Sequence, residues 1–483
     1  MEEKFIKILN KKDCTGCRAC EQICPVKAII MKEDDEGFIV PEVNKEKCIN
    51  CGLCRKTCGQ IDRFHNDNNL EKKKFIGAKP KEEEIAKNST SGGIAYLISE
   101  WIVKNNGVVF GCAYNENLMP NQMYATKKEE LQKFRGSKYV TSNTRNTFSE
   151  TKRFLESLTI DKRYDITRLF KDKTFSDDAL RNINGAVMNE IANNYPAFLG
   201  GSADLSSSTK TYLNKFGDFS STNYGGKNFF FGVREHAMGA FINGLALSGL
   251  RPFCSTFLSF SDYLKPSIRM ASLMNLPCTF VFTHDSVMVG EDGPTHEPVE
   301  QLAMLRSTPN HYVYRPCDAN EIIGSWQTIL NNDKPSSVVL SRSKCKNLST
   351  TNPLNVKKGA YIVRKEEKRL FGIIIATGSE VSLAIDIAEK LSKKGMELRV
   401  VSMPCMRLFD EQPQSYKDEI LPIGYKTFVI ERASKFGWHK YVYNDKYIMG
   451  IDEFGYSGKT EDVLRKLKLD DDTITKKIEK LLK

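Results

Sequence analysis

The 483-residue sequence has no apolar run approaching the roughly 18 residues a membrane-crossing helix needs. Its opening, MEEKFIKILNKK, lacks the apolar core of a secretory signal, so the expectation is a cytoplasmic chain without a membrane partner. There is no basic stripe either. The formal net charge is +11, but the lysines are scattered among Asn, Asp and Glu and are not gathered with aromatics. That distribution excludes nucleic acid as the expected partner and leaves small anionic substrates. After residue 60 the cysteines show no pattern: Cys112, Cys254, Cys278, Cys317, Cys345 and Cys405 are isolated in apolar or loop contexts and read as buried thiols. A disulfide framework is therefore not expected, and the compartment is a reducing one. The length allows roughly three domains of about 150 residues each.

Cysteine is instead concentrated at the front, where eight of the fourteen lie before residue 60. Cys14, Cys17, Cys20 and Cys24-Pro25 follow Cys-x2-Cys-x2-Cys-x3-Cys-Pro, and Cys48, Cys51, Cys54 and Cys58 repeat it with Gly59 in place of the proline. Three closely spaced thiolates can hold three irons of one cubane while the fourth reaches across to the other cluster. The expected sets are Cys14, Cys17, Cys20 and Cys58 on one 4Fe-4S cluster, and Cys48, Cys51, Cys54 and Cys24 on a second. Zinc needs only four ligands per site and would leave the doubled spacing unexplained. Between the motifs, AIIMKEDDEGFIVPEV predicts two short strands around Asp34 to Gly37. Residues 1–62 are thus expected to form a small ferredoxin-like α+β iron–sulfur module.

Residues 75–157 contain Ser91-Gly92-Gly93 and Arg135-Gly136-Ser137-Lys138-Tyr139. In these motifs the segment resembles the amino-terminal part of the deazaflavin-coenzyme hydrogenase/dehydrogenase beta-subunit family, which joins a ferredoxin module to a flavin-binding domain. A Ser-Gly-Gly that opens an amphipathic helix is also an ordinary cap and turn. The family's remaining half, with its cysteine-containing strand-loop segment, does not follow residue 157, so flavin is not carried over as a cofactor.

From about residue 165 the pattern becomes strand, loop, helix, repeated, which predicts largely parallel α/β sheets. Ligands of such sheets gather at the carboxyl ends of the strands. Five successive strand-like runs are followed by chemically useful residues. FL is followed by GGSADLSSS with Asp204 and Ser208, NFFF by GVREHAM with Glu235, and RPFCS by TFLSFSDY with Phe257, Phe260 and Tyr263. CTFVF is followed by THDSVMVGEDGPTHEPVE with His284, Asp292 and His296, and SSVVL by SRSK with Arg342. Each has a plain reading alone: Glu235 as a first-turn carboxylate, the aromatics as a core stripe. Arg181, in DDALRNINGAVMNEI, reads equally as a solvated arginine on an amphipathic helix. Together they outline one site.

In GVREHAMGAFINGLALSG, TFLSFSDY, THDSVMVGEDGPTHEPVEQ, RPCDANE, LSRS, IIIATGSEVSLA and RVVSMP, in that order, the chain closely resembles the pyrimidine-binding and carboxyl-terminal domains of transketolase. The resemblance implies two parallel-sheet α/β domains, over residues 165–350 and 360–483. The activity it implies is transfer of a two-carbon ketol unit between phosphosugars with thiamin diphosphate. It implies Glu235 as the glutamate that hydrogen-bonds the aminopyrimidine ring nitrogen, Phe257, Phe260 and Tyr263 as the apolar pocket around that ring, and Asp204 as a further cofactor contact. Asp292 and His296 match the pair that orients the donor ketose, with His296 placed for proton transfer. Arg181, Ser208, His284 and Arg342 match the group that holds the substrate phosphate, arginine offering a planar fork for its oxygens. Gly239, Ala240, Gly244 and Ala246 lie where family members face a second subunit, which implies an oligomer. Ser379 reads as a helix N-cap.

Transketolase holds the cofactor diphosphate and its magnesium in an amino-terminal domain marked by Gly-Asp-Gly and, further on, paired asparagines; no such segment is present here. The leading expectation is the carboxyl-terminal subunit of a split enzyme, needing a separate diphosphate-binding partner that shares the thiamin diphosphate and brings the magnesium. The alternatives are an iron–sulfur electron-transfer protein, with a redox partner and a non-catalytic transketolase-like scaffold, or a joined gene whose parts share no function.

Overall fold

The computed structural model describes all residues except 1–5, 7–13, 60–79, 90–92, 106, 137, 139–141 and 152–164. Ser91, Gly92, Ser137 and Tyr139 of the two deazaflavin-family motifs lie outside the described residues. The chain divides into two compact units, Met1–Ser157 and Leu158–Lys483.

In the first unit, strands β1 (Ile29–Glu33) and β2 (Ile39–Val43) form the expected antiparallel hairpin, running from Ile29 opposite Val43 to Glu33 opposite Ile39. Its turn closes because the Asp34 carboxylate accepts the amides of Glu36 and Phe38 at 3.1 and 2.9 Å while Gly37 takes a left-handed φ of 85°. Two five-residue helices, Ala19–Ile23 and Leu53–Thr57, repeat one design. Each is entered through a left-handed residue, Arg18 or Gly52, carries the third cysteine of its motif, and ends at the fourth in extended backbone. The buried core here is very small: Ile6, Cys20, Ile29 and Cys54.

Residues 80–151 add the helix Ile94–Lys104 and a second antiparallel hairpin, β3 (Val109–Tyr114) and β4 (Pro120–Ala125). Gly111 is required in β3, because a Cβ there would come within 2.7 Å of the Phe134 ring. Lys138 donates to the carbonyls of Arg135 and Gly136 at 2.7 and 2.9 Å, and the Arg135 guanidinium lies 3.9 Å over the Tyr96 ring. These two basic residues are engaged within their own fold.

The second unit holds two sheets. The first is fully parallel, six strands in the order β10-β11-β9-β8-β6-β7. Its members are β6 (Phe198–Ser202), β7 (Asn228–Phe230), β8 (Arg251–Phe257), β9 (Thr279–Thr283), β10 (Tyr312–Tyr314) and β11 (Ser336–Leu340). β8 runs two residues beyond the RPFCS predicted from sequence, so Phe257 closes the strand instead of opening the loop. Gly200 and Gly201 let β6 lie tightly between its neighbours: a Cβ would approach the carbonyl oxygens of Phe253 and Phe229 at 2.0 and 1.9 Å. A two-residue antiparallel ladder joins β5 (Asp178–Ala179) to β12 (Lys344–Cys345) and brings the start of helix Leu180–Asn194 beside the segment that leaves β11. Trp326 anchors the flanking helices, its ring edge-on to Phe198 at 5.4 Å and its indole N–H on Asn184 at 2.8 Å.

The second sheet has five strands in the order β13-β15-β14-β16-β17. These are β13 (Tyr361–Arg364), β14 (Leu370–Ala376), β15 (Glu397–Ser402), β16 (Lys426–Ser434) and β17 (Ile448–Ile451), all parallel except β13 against β15. Ser379 stands at the N-cap position of helix Glu380–Ser392, but its hydroxyl bonds the Glu380 carboxylate at 2.7 Å instead of capping a backbone amide. Among the described residues, no helix is long and apolar enough to cross a membrane.

Candidate functional site

Because the six strands run the same way, the loops after β6, β7, β8, β9 and β11 leave one edge of the sheet. Arg181, Ser208, Phe257, His284, Asp292, His296 and Arg342 line one open pocket of about 530 Å³ there, with Ser207 and Lys210. Asp204 and Glu235 follow β6 and β7 on the same edge without lining it. Asp204 is exposed, in left-handed backbone at φ 61°.

The basic side of the pocket is built by three elements. Arg181 is fixed by its amide on the Ser341 carbonyl at 3.3 Å and by its guanidinium on the Ser208 carbonyl at 2.9 Å. It is therefore no solvated arginine, and what Ser208 gives it is a carbonyl, not its hydroxyl. Arg342 forms an exposed ion pair with Asp292 at 3.1 Å. His284 is pushed down to about 3, first by burial and then by the charges of Arg181 and Arg342, so it is a neutral imidazole near pH 7. Its Nδ1 lies 2.8 Å from the Thr283 hydroxyl. A neutral histidine between two guanidinium groups can hydrogen-bond an anion whose charge the arginines balance.

The aromatics form a row graded from buried to open. Phe257 is buried, with the His284 ring on it at 3.8 Å; Phe260 is half-buried, 5.7 Å from Phe257; Tyr263 is exposed, 6.2 Å from Phe260. His296 meets this row edge-on, 5.4 Å from Phe260, and its Nδ1 lies 2.9 Å from the Thr295 hydroxyl. Glu235 is the first residue of helix Glu235–Leu247 and is only 8 % exposed, yet its carboxylate has no hydrogen-bond partner among the described residues. Of the four small residues on that helix, Gly239 and Ala246 face inward, Gly239 against Leu264 and Ser267 of helix Ser261–Met274, while Ala240 and Gly244 are exposed.

Two supports come from residues to which the motifs assigned no role. His284 itself has a left-handed φ of 62°, a strained state for a non-glycine residue. Its neighbour Asp285 is held by the fully buried Arg315 through bonds of 3.0 and 2.7 Å. Arg315 also reaches the Thr377 carbonyl at 3.0 Å and the Glu380 carboxylate, and lies 3.8 Å from Glu431. The second sheet's loops thereby fix the first sheet's histidine. Likewise Ser457 donates to the Glu291 carbonyl at 2.8 Å and Thr460 to that of Met288 at 3.3 Å, gripping the loop that bears Asp292 and His296.

In the first unit, Cys24, Cys48, Cys51 and Cys54 line one small cavity. The charges of Cys17 and Cys58 act on Cys14, and those of Cys17, Cys14 and Cys58 on Cys20, so these four thiols also form a neighbourhood. Among the described residues no three His, Cys, Asp or Glu side chains converge on a point that a single ion would occupy. A cubane asks for wider spacing, since each thiolate binds a different iron. The two thiol sets fit clusters better than zinc.

Residues 178–347 match the family model of the transketolase pyrimidine-binding domain, and residues 359–470 that of the transketolase-like C-terminal domain. The larger unit carries transketolase domains. Residues 13–60 match a 4Fe-4S dicluster domain, which makes the cysteine module an iron–sulfur one. The transketolase of Bacillus subtilis (strain 168) is 48% identical over 293 residues, 59% of this chain and 44% of the relative. That of Aquifex aeolicus (strain VF5) is 41% identical over 367 residues, 74% of this chain and 53% of the relative. The chain thus spans about half the length of the curated transketolases it matches. Among solved structures, transketolase from Leishmania mexicana aligns with a TM-score of 0.65 and 36% identity over 70% of this chain and 50% of that one. A chain described as "Split gene transketolase, inactive beta4 tetramer" aligns with a TM-score of 0.53 and 22% identity, over 63% of this chain and 98% of that one, a likeness of fold.

Proposed function

We propose that the chain is the pyrimidine-side subunit of a transketolase-type enzyme that moves a two-carbon ketol unit between phosphosugars, completed by a separate diphosphate-binding chain. The observation that carries this reading is the single pocket lined by Arg181, Ser208, His284, Asp292, His296 and Arg342. It offers cations and a neutral imidazole for a phosphate, and an exposed carboxylate, paired with Arg342 at 3.1 Å, and a second histidine for sugar hydroxyls. The domains are assigned as residues 1–62, 75–157, 165–350 and 360–483.

Thiamin diphosphate, when bound, supplies the carbanion chemistry. The residues present fit its pyrimidine end: Glu235 is a largely buried residue whose carboxylate has no hydrogen-bond partner among the described residues, and it follows β7 on the sheet edge where β8 delivers the aromatic row. Glu235 would accept a hydrogen bond from a ring N–H, Phe257, Phe260 and Tyr263 would hold the ring and exclude water, and Asp204 would contact the cofactor from the neighbouring strand end. His296 would hold or release a proton at a donor hydroxyl. The diphosphate and magnesium fall to the partner, since no Gly-Asp-Gly segment occurs in this sequence.

An exposed apolar surface is ready for that partner. Phe230, Val233, Phe241, Leu247, Tyr263 and Leu273 are all more than 40 % exposed, on or beside the helix that Glu235 opens and the helix packed against it. Such a surface on one chain marks a contact site. The fold of this unit also exists as a free-standing polypeptide, since the structure named above aligns over 98% of its own length. A reducing cytoplasm suits the thiolate ligands.

The test is reconstitution. The chain alone, with thiamin diphosphate and magnesium, is expected to show no ketol transfer, and to gain it when mixed with a diphosphate-binding transketolase half. Robust turnover by the chain alone would overturn the split reading; a mixed complex that forms yet stays inactive would favour the electron-transfer alternative.

A further inference from the structure

We infer that the outer edge of the Cys24, Cys48, Cys51 and Cys54 cavity is a docking surface for a small acidic electron-carrier protein. The two halves of the cysteine module are unequally covered. Over the first, the Thr144 hydroxyl donates to the Cys17 carbonyl at 3.0 Å, Arg18 donates to Asn143 at 3.1 Å, and the Ser149 amide donates to Gln22 at 3.0 Å. The chain's own residues 143–149 thus lie on that half. On the second half, among the described residues, Cys51 is exposed, and of the apolar side chains around the cavity Ile49 is 61 %, Leu53 40 % and Val26 38 % exposed, while Ala28 and Ile29 are buried.

Solvent-facing isoleucine, leucine and valine side by side at the rim of a metal-ligand cavity are what a protein partner would cover. The sequence flanking the rim is basic. Lys27, Lys47, Arg55 and Lys56 are exposed and lie within three positions of Val26, Ile49 or Leu53 in sequence, with Glu46 the acidic residue among them. Like charge disfavours a second copy of this surface, and complementarity selects an acidic partner, steered to the patch and released readily. An electron carrier is the partner that gains from approaching an exposed cluster ligand. The inference rests on the dicluster module alone and is independent of the sugar chemistry.

The experiment titrates anaerobically purified full-length protein with an acidic flavodoxin, which brings no iron of its own, by calorimetry. Binding is expected at low salt and should weaken by about tenfold or more between roughly 20 and 300 mM salt. Lys27→Glu with Lys56→Glu should weaken it by at least about tenfold, as should Ile49→Asp, while Lys393→Glu on the other unit leaves it unchanged. Iron content equal to that of the unaltered protein shows that the module is intact; if the first pair loses iron, Lys47→Glu with Arg55→Glu takes its place. The proposal is overturned if neither flavodoxin nor an acidic plant-type ferredoxin binds, or if the variants bind like the unaltered protein. It is equally overturned if light scattering shows a dimer that Ile49→Asp dissociates, because a second copy then occupies the patch.

Discussion

The cysteine module and the larger unit assemble their sites in opposite ways. In the module, ligands three or four residues apart come from two short copies of one helical design, and the protein core beneath them is Ile6, Ile29 and two of the cysteines themselves. In the larger unit the pocket draws on residues from Arg181 to Arg342, held by a six-stranded sheet whose core includes Trp326, Phe198, Phe253 and Phe280. A site with so little core beneath it among the described residues is expected to rely on its metal for folding, whereas a site at a sheet edge is pre-formed by packing that its ligand does not touch.

The sharpest way to break that contrast is to remove the iron. Anaerobic protein is expected to carry about eight irons, four per cubane. After chelation, hydrogen exchange should show the β1–β2 amides losing protection almost completely, while the β8 and β9 amides stay within about twofold of the loaded protein. Equal loss in both units would mean that the larger one also depends on the clusters.

The next effect probes the larger unit's own anchor. Arg315 is fully buried between Asp285, Glu380 and Glu431. Arg315→Met leaves Asp285 without its cation and Glu380 with only Arg432 at 4.0 Å, while Glu431 keeps Arg306 at 2.7 Å, and breaking a buried pair in this way costs about 3–5 kcal/mol. Urea unfolding followed by tryptophan fluorescence should report this fall, because Trp326 and Trp438 both lie in the cores of this unit. A midpoint unchanged from the unaltered protein would show that the node carries no stability. Glu235→Gln should act differently, keeping the fold but lowering turnover of the reconstituted complex by at least about a hundredfold. Turnover preserved in a complex that uses this site would remove Glu235 from the chemistry.

These two residues also mark what the sequence could reveal. Glu235, His284, Asp292 and Arg342 could be placed on one edge because each follows an apolar run that had to become a parallel strand, and the ends of parallel strands share an edge; Phe257 ends its strand there. The dicluster module was legible because its spacing is itself the geometry. Arg315 was not: it opens RPCDANE, a string that carries the family resemblance without assigning this residue a role, and its partners Thr377, Glu380 and Glu431 lie 62 to 116 positions away. The small residues of helix Glu235–Leu247 were expected where family members face a second subunit; two of them, Gly239 and Ala246, pack inward instead, Gly239 against helix Ser261–Met274, while Ala240 and Gly244 are exposed.

The smallest expected effect belongs to Glu297, beside His296 in the loop that follows β9. It is 3 % exposed, a Cβ on Gly455 would come within 1.7 Å of its carboxylate, and neither oxygen has a well-formed hydrogen bond. Burial pushes it up to about 7, the amides of Gly290 and Tyr456 compensating only in part. A carboxyl whose folded pKa exceeds its unfolded one holds its proton longer in the native state. The native state therefore binds more protons between about pH 4.5 and 7, and stability falls as pH rises through that window. Glu297→Gln mimics the protonated form. It should leave stability near pH 5 unchanged and raise it above pH 7 by on the order of 1–2 kcal/mol, flattening the pH dependence. Urea midpoints at the two pH values decide this, and a variant less stable than the unaltered protein above pH 7 would mean that the ionised carboxylate has a cationic partner that holds the loop against the second sheet.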